Sequence, residues 1–175
     1  MVKVFYHVVT EKPMQLNQEI IFDEFNYNKV YERIYKEKEL VDKIYLKNDI
    51  ELNDNIKKAL REFALEEVRK KEFPNYPSRL SSLYVSNTFE EALFWYNLFI
   101  SKGRKTFQLV KIEVDGLVFS GDAWNCFEGT TNKEENLKLA RKYWNNEKNI
   151  YNKEPIIETL VNGKIKVIEI LKENK

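Results

Sequence analysis

Arg79–Trp95 reads RLSSLYVSNTFEEALFW and turns from strand to helix within a few residues. Leu83, Tyr84 and Val85 form a short apolar run suited to a strand. Asn87 or Thr88 can cap a following helix, and Glu90 and Glu91 place carboxylates in its first turn, where the positive helix end favours them. Ala92, Leu93, Trp95, Tyr96 and Phe99 then make a broad apolar face, while Pro74 and Pro77 break the chain just upstream. Such a corner can present a polar edge and aromatic faces to one cleft, which makes it the first place to look for a site.

Outward from this corner, further strands and helices are expected on both sides. Val2–Thr10, rich in Val, Phe and Tyr, predicts a buried strand that carries His7, and Pro13 ends it. His7 there can equally be a core histidine bonded to neighbouring backbone. Gln18–Phe25 is short, apolar and of ambiguous type. Asn28–Tyr45 fits one or two amphipathic helices, and Leu52–Lys71 fits one, with Ile56, Leu60, Phe63, Ala64 and Val68 at helical spacing and Asn53 or Asp54 as the cap. On that helix Glu62, Glu66, Glu67 and Glu72 interleave with the basic residues, which favours a solvated face over a phosphate-binding strip.

Downstream, Gly103 stops the central helix and Thr106–Val114 is a strand; Asp115-Gly116 is a turn, after which Leu117–Phe119 can resume the sheet. Gly121–Gly129, GDAWNCFEG, is a glycine-bounded loop, and Glu134–Trp144 is another helix. Ile156–Val161 and Ile165–Leu171 are β-branched runs separated by Asn162-Gly163, a strong hairpin signal. Strands interspersed with helix-rich inserts give an α+β expectation: one compact domain over residues 1–175 with a split sheet flanked by helices.

Composition narrows the chemistry. With 29 Lys and Arg against 28 Asp and Glu, the formal charge is +1, so overall charge signals neither nucleic acid nor membrane. One cysteine, Cys126, and one histidine, His7, exclude an intrachain disulfide and metal sites built mainly on thiolate or imidazole, although a carboxylate site is left open. Cys126 is expected to be an unreactive buried thiol rather than a nucleophile. No glycine precedes Gly103, so the first half lacks a glycine-rich phosphate loop. The opening residues do not read as a secretory signal and no later run is apolar enough to span a membrane, which makes a cytoplasmic protein the default expectation.

The stretches FYHVVTEKPMQ, ALREFALEEVRK, YPSRLSSLYVS and GDAWNCF resemble the bacterial DUF2441 family, over almost the whole chain. The order of His7 on an early strand, Tyr84 at a strand-helix corner and Glu158 on a late strand also resembles the His-Tyr-Glu branch of the ADP-ribosyltransferase superfamily. That resemblance implies an ADP-ribosyltransferase-like domain with NAD as substrate, an unknown acceptor and no metal. It implies that His7, with Thr10 nearby, holds the nicotinamide ribose, that Tyr84 stacks on nicotinamide with Trp95 as a second aromatic wall, and that Glu158 bonds a ribose hydroxyl. The implied catalytic residues are thus Glu158, His7 and Tyr84; Arg79 and Lys3 are candidates for the pyrophosphate. Val8-Val9 separates His7 from Thr10, where the superfamily often places a hydroxyl residue sooner, and a catalytically inactive module binding a nucleotide or protein partner is the alternative.

Overall fold

The computed structural model describes residues 1–47 and 51–175. In chain order the elements are β1 (Lys3–Val9), β2 (Glu19–Phe22), α1 (Lys29–Tyr35), α2 (Lys38–Ile44), α3 (Asp54–Glu72), β3 (Leu83–Val85), α4 (Phe89–Ser101), β4 (Gln108–Asp115), β5 (Val118–Asp122), a 3-10 turn (Ala123–Asn125), α5 (Lys133–Trp144), β6 (Ile157–Val161) and β7 (Gly163–Glu173). Side chains at the helix entrances explain where several begin. Asn53 accepts from the Ile56 amide, Thr88 from Glu91 and Asn132 from Glu135, each satisfying a donor that the helix leaves unpaired.

The strands form two antiparallel sheets within one α+β domain. The first has the order β1-β4-β7-β2 and the second β3-β6-β5. They meet where Tyr6 and Ser86 exchange backbone hydrogen bonds of 3.0 and 2.7 Å. Alternation along each strand sends successive side chains to opposite faces, so each sheet contributes to two packed layers. Phe5, Val9, Val110, Ile112, Val114, Ile165 and Val167 of the four-stranded sheet pack with Val85 and Val161 of the other. On the outer face of the four-stranded sheet, Val8 and Leu109 meet Ala92 and Tyr96 of α4. On the outer face of the three-stranded sheet, Phe119 and Leu160 pack against α3 and α5 through Leu65, Val68, Tyr143 and Trp144.

Two expectations need correction and others are completed. Asn162-Gly163 is not a hairpin turn: β6 pairs with β3 and β5, whereas β7 pairs with β4 and β2, so the two residues carry the chain from one sheet to the other. Asp115-Gly116 does the same between β4 and β5. The two crossings lie against each other. Asn162 donates from its backbone N–H to the Leu117 carbonyl at 3.2 Å and accepts from the Leu117 amide at 2.8 Å, and a Cβ on Gly116 would collide with the Asn162 carbonyl. Gly163 also sits at φ +82°, a conformation that glycine adopts without strain.

Glu62 is the second correction. It lies 1% exposed rather than on a solvated helix face, because Arg79 reaches it from the segment before β3. The ambiguous Gln18–Phe25 stretch contains β2, an edge strand whose register places Ile20 opposite Ile165. The Asn28–Tyr45 stretch resolves into α1 and α2.

Candidate functional site

Strand register decides which predicted residues can meet. Tyr84 stands opposite Leu160, and Glu158 lies two residues before Leu160 on the same strand, so both side chains leave the same face of the three-stranded sheet. That face is the one covered by α3 and α5. Arg79 lies between them. Its guanidinium carbon is 5.4 Å from the Tyr84 ring centre and 5.0 Å from that of Tyr143, and Nη1 donates to Glu158 Oε1.

The rest of the Arg79 fork is also engaged. Nε donates to Glu62 Oε2 at 2.9 Å, Nη2 to Glu62 Oε1 at 3.2 Å, and Nη1 to the Tyr143 hydroxyl at 2.6 Å. Tyr143 in turn donates its hydroxyl proton to Glu158 Oε1. A guanidinium so surrounded is held by charge-assisted bonds on two sides, which is the arrangement that makes a buried arginine tolerable. Burial by itself lowers the Arg79 pKa, but the carboxylates of Glu158 and Glu62 outweigh it and hold the group well above its ordinary value. For Glu62, burial raises the pKa while Arg79 and Arg61 pull it down further, so the carboxyl lies below its usual range.

The consequence for Glu158 is asymmetry between its two oxygens. Oε1 receives both Arg79 and Tyr143; Oε2 has no hydrogen-bond partner among the described residues, and the side chain is 16% exposed. Tyr143 is kept protonated by burial, against the pull of Arg79, and the adjacent Glu158 carboxylate adds to the rise in its pKa. The Tyr84 phenol is raised in the same sense, chiefly by burial. Cys126 sits at the edge, with Sγ 3.8 Å from Arg79 Nη2; burial raises its thiol pKa despite Arg79, which leaves a protonated, poorly nucleophilic sulfur.

His7 joins this group through main chain rather than ring to ring. It shares the β1 face of Phe5 and Val9, and its Nδ1 donates to the Tyr84 carbonyl at 2.7 Å. The acceptor is a carbonyl, so Nδ1 carries the proton and Nε2 is left with its lone pair. Burial, assisted by the positive charge of Arg104 and opposed by the Tyr84 carbonyl, brings the imidazole pKa down to about 4. The Tyr84 ring, by contrast, leaves the other face of β3.

Thr10 and Trp95 lie elsewhere. Thr10 accepts a 3.1 Å bond from Arg104 just beyond the end of β1. Trp95 is on α4, partly buried among Phe94, Phe99 and the residues that cover the outer face of the four-stranded sheet. It shares no contact layer with Glu158. Lys3 is exposed at the start of β1, and Arg79, a pyrophosphate candidate from sequence, has its guanidinium committed to Glu62, Glu158 and Tyr143.

A family model described as a protein of unknown function, DUF2441, matches residues 5–173. The chain belongs to the DUF2441 family. Among curated proteins, none matches it. Two members of this site in the DUF2441 chain, Glu62 and Tyr143, escaped sequence reasoning because each looks like an ordinary helix residue. The signal available for Glu62 was its spacing: it stands three residues from both Ala59 and Leu65, which are buried on the same helix. Tyr143 gave a weaker one, as a neighbour of the buried Trp144. Among the described residues, no cluster of three or more His, Cys, Asp or Glu side chains is arranged to hold a metal ion, and no helix is long and apolar enough to cross a membrane.

Proposed function

We propose that this DUF2441 protein binds NAD and cleaves its nicotinamide-ribose bond, transferring ADP-ribose to an acceptor. The observation that carries the reading is the asymmetric Glu158 carboxylate: Oε1 is fixed by Arg79 and Tyr143, while Oε2 keeps its lone pairs in a partly exposed position. A ribose hydroxyl can donate to Oε2. Heterolysis of the C1′–N bond sends the bonding pair to the nicotinamide nitrogen, which becomes neutral, and leaves cationic character on the ribose. A carboxylate held in place stabilises that charge without reorganising. The acceptor then forms a bond to C1′ and loses its proton to solvent. Tyr84, on the same face of the three-stranded sheet as Glu158, supplies an aromatic surface for the cationic pyridinium.

A second reading has its own observation. The buried Arg79 is saturated by Glu62, Glu158 and Tyr143, as in a polar core whose purpose is structural, and this favours a module that binds a nucleotide or protein partner without turning over. Calorimetry with NAD together with a nicotinamide-release assay separates the two. In the catalytic reading wild type releases nicotinamide, and Glu158→Gln lowers turnover by about a hundredfold or more while changing NAD affinity little, because the lost charge acts on the transition state. Binding without release selects the silent module. Absence of NAD binding overturns the proposal.

A further inference from the structure

With Arg79 committed to the core, the structure assigns anion recognition to a different pair of arginines: we propose that Arg33 and Arg104 form a diphosphate-binding site just beyond the C-terminal end of β1. The identification of that diphosphate as the linking group of a dinucleotide rests on the NAD reading above; the anion site itself does not.

The two side chains come from distant parts of the chain and reach consecutive residues. Arg104, which follows α4, donates from Nη2 to Thr10 Oγ1 at 3.1 Å, and Arg33, on α1, donates from Nη2 to Glu11 Oε1 at 3.3 Å. The Arg104 guanidinium also lies over the Phe99 ring at 4.4 Å, which fixes its plane. Each arginine has five N–H donors in a planar fork, and most of those on this pair have no protein partner among the described residues. Arg33 is 65% exposed, so its fork faces solvent.

The charges explain why an anion is favoured. Glu11 is the carboxylate that faces the pair, and it pairs with Arg33 at an exposed position. Arg104 feels burial and the like charge of Arg33, both of which lower its pKa, with Glu11 in partial opposition. A dianionic group between two guanidiniums relieves that repulsion and accepts two forks of hydrogen bonds at once, which a single carboxylate such as Glu11 cannot do. The site also adjoins the His7 strand, since the Arg104 charge reaches the imidazole. His7 bonds the Tyr84 carbonyl on its other side. The anion site thus lies at the end of the strand that carries His7, and the same strand meets β3 where Tyr6 and Ser86 exchange backbone hydrogen bonds. Under the NAD reading, the diphosphate is the anionic part of the ligand that such a pair of guanidiniums recognises.

The test is calorimetric titration of the purified protein with inorganic pyrophosphate and with ADP-ribose, in wild type, Arg33→Gln, Arg104→Gln and the double variant. Circular dichroism verifies that these exposed substitutions leave the fold intact. Wild type is expected to bind both probes, each single variant to bind them about tenfold more weakly, and the double variant not to bind measurably. Glu11→Gln is expected to tighten pyrophosphate binding by removing the competing carboxylate. Pyrophosphate binding that depends on both arginines, without any binding of ADP-ribose, upholds the anion site and refutes the NAD reading. ADP-ribose binding that is equal in wild type and double variant overturns the anion site and leaves the NAD reading standing. Failure of wild type to bind either probe overturns both.

Discussion

The two sides of the three-stranded sheet are built on opposite physical terms. On the side facing β1, β4 and β7, Val85 and Val161 join a mainly aliphatic layer with His7 at its seam, where shape and exclusion of water supply most of the stability. On the side facing α3 and α5, Leu160 and Phe119 share space with an ion cluster of Glu62, Arg79 and Glu158 closed by Tyr143. An apolar layer degrades gradually when one methyl group is removed. An ion cluster does not, because deleting one member leaves the remaining buried charges short of compensation.

The sharpest way to break this contrast is Arg79→Met. It leaves Glu62, 1% exposed, with Arg61 as its one remaining cationic partner and takes the guanidinium from Glu158, and is expected to cost about 3–5 kcal/mol in urea unfolding. Adding Glu62→Gln should return part of the loss. A cost below about 1 kcal/mol for Arg79→Met would mean that the cluster is not electrostatically coupled to the fold.

Next in size is the pH response of the seam between the sheets. His7 has a folded pKa of about 4 against an ordinary value of 6.5, so it is neutral in the fold and the unfolded chain binds the extra proton between those values. Its contribution is full above pH 6.5 and is lost as pH falls towards 4, by up to about 3 kcal/mol. Glu62 acts in a lower window: its carboxyl lies below its ordinary 4.5, so the stability it contributes is present above that value and disappears as pH falls further. His7 is the one histidine in the sequence, which makes its imidazole titration by NMR unambiguous. A midpoint near 6.5 would remove the seam from the account.

The smallest expected effect lies in the apolar layer. Ile112→Val at a fully buried position of β4 should cost about 0.5–1.5 kcal/mol, with the loss independent of pH between 4 and 7. A cost as large as that of Arg79→Met would erase the distinction between the two layers.

These physical differences also decide what was legible in the sequence. The β1 strand, the Leu83–Val85 strand, the α3 cap at Asn53 and the α4 helix follow from local pattern, because alternation, spacing and capping act over a few residues. Asn162-Gly163 misled for the same reason: its local conformation fits a hairpin, while the choice of partner strand is made by contacts far away in sequence, with Leu117 among them. The candidate site was legible by halves. Tyr84 and Glu158 were named from their order in the chain, but Glu62 and Tyr143 acquire their roles only when α3 and α5 close over the sheet. Arg104 and Arg33 gave no sequence signal, since each is an ordinary charge until the fold sets them beside Thr10 and Glu11.

The position of β7 bears on synthesis. It is the last strand in chain order, yet it lies inside its sheet, paired with β4 on one side and β2 on the other. While a ribosome is still making Gly163–Glu173, β4 has β1 on one edge and nothing on the other, and β2 has no partner at all. The nascent protein thus displays a strand edge that includes Val110, Ile112 and Val114 until β7 has been made and is free to pair. That interval is when pairing with another chain competes with the native strand, and when a chaperone has the most to protect.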